Sequence, residues 1–131
     1  MNTDDENYRK ELTRAIMRMM MGWGLSPRDI HTALGLEVPF RQMQRFTIGE
    51  AFPECEDLDE KIEHLVGISE GLRTAYPHSS RAGVFWLQKP HNRLGNRAPL
   101  AAIVNDGLSG MKMVRAELDC TFGWEQTNLA Y

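Results

Sequence analysis

Four polar residues in one short stretch, Arg41, Gln42, Gln44 and Arg45, carry the side chains that read base edges in DNA. An arginine fork fits O6 and N7 of guanine, a glutamine amide fits N6 and N7 of adenine, and both also hold phosphates. They lie in LSPRDIHTALGLEVPFRQMQRFTIGE, which reads as a short helix, a glycine-bearing turn and a second helix, the plan of a helix-turn-helix. An ordinary surface helix presents the same residue types to solvent, so the order alone does not establish DNA binding.

Nothing comparable points to catalysis. The histidines His31, His64, His78 and His91 stand apart, and no serine, cysteine or carboxylate lies in a nucleophile motif. Glu60 and Glu63 have the types to work with His64, but on a helix they read as a solvated acidic face. Gly95, Gly107 and Gly110 form neither GxGxxG nor GxxxxGK[ST], so no phosphate cradle is expected. Cys55 and Cys120 make no CxxC and no cysteine–histidine cluster with metal-ligand spacing. The chain is therefore expected to be a non-enzyme without metal or cofactor, working in a reducing cytoplasm.

The elements that must position these residues follow from apolar spacing. A net charge of -3 over 131 residues argues against nonspecific coating of nucleic acid or membrane. The 42% hydrophobic content is enough to bury a core. The segment MNTDDENYRKEL is acidic where a signal peptide would be basic, and no apolar run reaches membrane-spanning length.

An all-α fold is expected. A first helix carries Tyr8, Leu12, Ile16, Met19 and Met20 and breaks at Gly22 and Gly24. A second is capped by Ser26, Pro27 and Asp29 and closes at Gly35, and a third opens at Pro39 and stops before Gly49. Asp57 is placed to cap a long helix, with Glu60 reaching back and Leu58, Ile62, Leu65, Val66 and Leu72 inward. A short helix holding Val84 to Leu87 ends at Pro90, another runs from Pro99 to Asp106, and Ser109 caps a last one with Met111, Val114 and Leu118 inward. The chain divides into residues 1–53, a helix-turn-helix region for DNA binding and dimerisation, and residues 54–131, a helical partner-binding region.

The stretch WLQKPHNRLGNRAPL, residues 86–100, lacks the charges of a reactive loop and reads as a helix-to-helix corner. Trp86 and Leu87 close one helix, Pro90 stops it, Leu94 pins the loop and Pro99 opens the next helix. Asn92, Arg93 and Arg97 are its polar members.

With Trp86, Leu87, Pro90, Leu94, Gly95, Pro99 and Leu100 in this order, the chain resembles the toxin-binding domain of Xre-like antitoxins of the MbcA/ParS type. His91 stands where that family usually has asparagine, and Asn96 where it has a second glycine. Upstream, Leu25, Ser26, Ile30, Leu34, Gly35, Arg45, Phe46 and Gly49 match the family's helix-turn-helix region, with an apparent two-residue insertion before the third helix. The resemblance implies an antitoxin that blocks a RES-domain toxin, an enzyme that consumes NAD or uses it for ADP-ribosylation. It also implies a homodimer that represses its own operon at operator DNA. Asn92, Arg93, Arg97, Arg115, Phe122, Trp124 and Tyr131 are the expected toxin contacts, because arginine and aromatic side chains most often anchor interfaces. The alternative is a stand-alone helix-turn-helix regulator without a toxin.

Overall fold

A computed structural model describes residues 3–123, the last two by backbone alone. The described chain is all-helical, with one isolated backbone bridge, between His91 and Arg97, and no strand.

Helix α1 spans Thr3–Gly22, with Asp4, Asp5 and Glu6 in its first turn where the helix dipole favours negative charge. It buries Thr13, Ile16, Met17 and Met20. The sequence places Tyr8 on this stripe, yet Tyr8 is 68% exposed. Two turns at about 100° per residue rotate it roughly 80° from Ile16, off the buried face. Thr13 is the buried polar group here. Its hydroxyl donates to the Arg9 carbonyl and accepts from the Phe52 amide, each at 2.8 Å, so no orphan remains. Arg9 adds hydrogen bonds to the Phe52 and Pro53 carbonyls and an ion pair with Asp59 at 3.0 Å. This cluster fastens α1 to the chain leading into the long central helix.

Helix α2, Pro27–Leu34, forms as its local sequence dictates. Ser26 accepts from the Asp29 amide, the Asp29 carboxylate accepts from the Ser26 amide, and Gly35 closes the helix in the left-handed conformation at φ 63°. Lys61 donates to the Leu34 carbonyl at 3.2 Å, satisfying one of the carbonyls a helix end leaves open.

The next element, Phe40–Phe46, is a 3-10 helix, where the sequence suggested an ordinary turn of α-helix. Its apolar residues Phe40, Met43 and Phe46 recur at every third position, which matches the three-residue turn of a 3-10 helix. Met43 and Phe46 are buried, while Phe40 is partly open beneath the Arg28 guanidinium, 4.2 Å from its ring centre.

Helix α3, Glu56–Ala75, starts one residue before the expected cap. Cys55 holds the cap position without a side-chain bond, and Asp57 lies in the first turn, where it pairs with Lys61 at 3.0 Å. Three acids in that turn meet the helix dipole, so electrostatics replaces the missing cap. Helix α4, Ser80–Gln88, is capped by Ser79 through the Ala82 amide. Helices α5, Pro99–Asp106, and α6, Leu108–Leu118, share Gly107 as their junction at φ 60° and ψ -128°. Gly107, not Ser109, therefore stands at the start of α6, and the Ser109 hydroxyl donates back to the Asp106 carbonyl.

α6 packs between α3 and α5, and α2 packs on α5. Buried residues from both sides of residue 53, among them Met20, Ile30, Leu34, Leu65, Leu87, Ile103 and Met111, make one continuous core. The Gln88 amide also donates to the Trp23 carbonyl at 3.1 Å across the two parts.

Candidate functional site

The 86–100 corner is built on its own backbone. Lys89 leaves the helical conformation, and the His91 amide donates to the Arg97 carbonyl at 3.1 Å, closing a short loop. Within it, Asn92–Leu94 makes one 3-10 turn that buries Leu94 to 2% exposure. The His91 carbonyl accepts from both Leu94 and Asn96 amides. The His91 ring lies 4.8 Å from that of Trp86, and its Nε2 is 3.0 Å from the Trp86 carbonyl. A carbonyl only accepts, so Nε2 carries the proton. His91 is a structural plug.

Gly95 and Asn96 follow at φ 70° and 63°, both left-handed. Asn96 is the one non-glycine residue with positive φ among those described, and asparagine tolerates that region better than other side chains. Asn96→Val is expected to lower stability by about 1–2 kcal/mol, since a β-branched residue is strained there, while Asn96→Gly should cost little. Urea unfolding midpoints at unchanged slope measure both.

The sequence-derived contact residues part company here. Asn92 and Arg93 are exposed, and Arg93 reaches the Cys120 sulfur at 3.4 Å. Arg97 is engaged within the fold: its Nε donates to the Leu94 carbonyl at 3.1 Å and its Nη2 to Asp106 at 2.8 Å, tying the loop to the end of α5. Arg115 is likewise engaged within the fold. It is half-buried, its guanidinium lies against Gly67 where a Cβ would collide, and its Nη1 sits 3.3 Å from His64 Nδ1. Because arginine only donates, that nitrogen accepts. The side chain of Phe122, and the whole of Trp124 and Tyr131, lie outside the described residues.

The hydrogen bond from Arg97, aided by its charge and opposed by desolvation, holds Asp106 below the usual carboxylate value. The same pair raises Arg97. A carboxylate depressed on folding contributes stability above its unfolded-state pKa and loses it as pH falls through the folded one. Asp106→Asn is expected to melt below the parent at neutral pH, with the gap closing on acidification. Melting temperatures across an acid titration follow it.

On the 3-10 helix, Arg41, Gln44 and Arg45 are exposed and Gln42 is half-buried. Three residues per turn set Arg41 with Gln44 on one row and Gln42 with Arg45 on another, so the four do not share a face. Arg45 also lies 4.0 Å from Glu50, a long pair between exposed groups and worth little. The sequence reading missed Arg14 and Arg18 on α1. Their i, i+4 spacing was the available signal, and they line a groove of about 400 Å³ with Met17, Met21 and Thr47. A neighbouring groove of about 550 Å³ joins Met17, Met21 and Thr47 to Phe40, Arg41, Met43 and Gln44. Arg41 and Gln44, but not Gln42 or Arg45, thus line a wider apolar and basic face.

Of the two carboxylates with the types to work with His64, Glu60 pairs instead with Lys112 at 3.6 Å. Among the described residues no cluster of His, Cys, Asp or Glu is placed to hold a metal ion, and no helix is long and apolar enough to cross a membrane. The sequence matches no known family model and no curated protein.

Proposed function

We propose that this chain is a noncatalytic, cytoplasmic antitoxin that binds and neutralises a RES-type toxin which consumes NAD or uses it for ADP-ribosylation. Its N-terminal part acts as a homodimer on operator DNA, through Arg41, Gln42, Gln44 and Arg45, to repress its own operon. NAD is the toxin's substrate, and the chain itself carries no cofactor.

One observation carries the reading: two consecutive left-handed residues, Gly95 and Asn96, stand where the resembled family has its paired glycines. Left-handed backbone is the physical reason for glycine at such positions, and asparagine is its commonest substitute. The departure at residue 96 is therefore conservative in shape. Burial of Trp86, Leu87, Leu94 and Pro99 around the same loop supports it further.

Within the corner, Asn92 and Arg93 remain as toxin contacts. Along α3, Asp57, Asp59 and Glu60 are paired with Lys61, Arg9 and Lys112, which leaves Glu56, Glu63 and Glu70 as exposed carboxylates to meet a basic partner surface. Coexpression with a RES-type toxin encoded beside its gene is the test. The toxin alone should arrest growth, the pair should grow and copurify, and continued arrest with no complex would remove the proposal's basis.

A second reading, a DNA-binding regulator with no toxin, draws on the exposure of Arg41, Gln44 and Arg45 beside the arginine-lined grooves. It requires a salt-sensitive, sequence-specific shift of the upstream promoter in a chain that captures no toxin.

A further inference from the structure

A cleft of about 520 Å³ lies between the C-terminal ends of α1 and α3 and the start of α4. Its volume falls within the range of small-molecule sites, roughly 300–1,000 Å³. Trp23, Leu72, Tyr76 and Val84 give it apolar walls. Arg18 and Arg73 line it as well, and neither forms an ion pair among the described residues. His78 and the hydroxyl residues Ser69, Ser79 and Ser80 complete the polar lining.

The charge pattern is the informative part. The chain has 18 acidic residues and a net charge of -3, yet no carboxylate among the described residues lines this cleft. A concave surface of one sign focuses its field and raises the local concentration of counter-ions. Two arginine forks match the planar oxygen pairs of a phosphate or carboxylate, and the apolar walls match a flat ring system. We infer that the cleft binds a small organic anion, one phosphate or carboxylate group carried on a flat apolar body, with Arg18 and Arg73 holding the anionic group. The inference does not rest on the antitoxin reading and needs no protein partner, although Arg18 also lines the groove beside the candidate DNA-reading helix.

Adenosine monophosphate supplies both features, adenosine only the ring body, and inorganic phosphate only the charge. Each is titrated into the full chain while the Trp23 indole N–H is followed by NMR. Saturable shifts are expected with the monophosphate, and at least tenfold weaker binding for either half alone. An Arg18→Gln/Arg73→Gln double substitution should weaken the monophosphate about tenfold or more, since hydrogen bonds to charged groups reach that size. Lys10→Gln, an exposed charge outside the lining, should leave it unchanged. The melting temperature of the double variant checks its fold. If that variant unfolds, the parent still decides the matter: added salt should weaken the monophosphate and leave adenosine unaffected. The inference is overturned if the monophosphate gives no saturable shift, if adenosine or phosphate alone binds as tightly, or if neither the arginine substitutions nor salt alters binding.

Discussion

Gly110→Ala is expected to be the most damaging single-methyl change in this chain. A Cβ at residue 110 would overlap the Ala102 carbonyl oxygen, and the next obstacle is again backbone, the Ala102 carbonyl carbon at 2.6 Å. Backbone cannot swing aside as a flexible side chain does. α5 and α6 are joined by the single residue Gly107, so neither helix can shift without disturbing the junction. Overpacking of this kind costs about 3 kcal/mol, or roughly 10 °C in melting temperature for a domain of this size. Gly22→Ala is the matched control. Nothing lies within 4 Å of its Cβ position, so the same substitution should be neutral or slightly stabilising. Equal melting temperatures for the two variants would contradict the close α5–α6 approach.

The 86–100 corner should separate into residues that hold its shape and residues that use it. Leu94→Ala removes a side chain buried to 2% and is expected to cost about 2–5 kcal/mol; on the proposed antitoxin reading, toxin capture should be lost as the corner loosens. The double substitution Asn92→Ala/Arg93→Ala should leave stability within about 0.5 kcal/mol, because both side chains are exposed. Its toxin affinity should nevertheless fall roughly tenfold or more if these residues sit in the contact. Denaturant unfolding and toxin titration on the same samples distinguish the two effects. Unchanged toxin affinity in the double variant would move the contact elsewhere on the chain.

How far the sequence could be read depended on how local the cause was. The α2 cap and stop were legible in full, because Ser26, Pro27, Asp29 and Gly35 act on their immediate neighbours. The corner was legible for the same reason: Pro90, Leu94 and Pro99 restrict their own backbone. Phe40, Met43 and Phe46 held a clue to the 3-10 helix in their strict spacing of three, which a short helical stripe of period 3.6 can mimic. The roles of Arg97 and Arg115 were not legible. Each looks like a surface arginine until folding brings its partner close, Asp106 nine residues away and His64 fifty-one residues away. The cap at Asp57 failed because a run of acids offers several equivalent starts, and the helix took the one that places three of them in its first turn. The α1–α3–α4 cleft gathers residues from 18 to 84, a combination that no spacing rule predicts.

On the proposed antitoxin reading, this fold silences a NAD-consuming toxin by covering it, with no chemistry of its own. Titrating the purified chain into a RES-type toxin encoded beside its gene, while following NAD, tests this most directly. NAD consumption should fall in proportion to the chain added and stop once the toxin is saturated, with the chain itself unaltered. Undiminished consumption in the presence of an excess of the folded chain would contradict it.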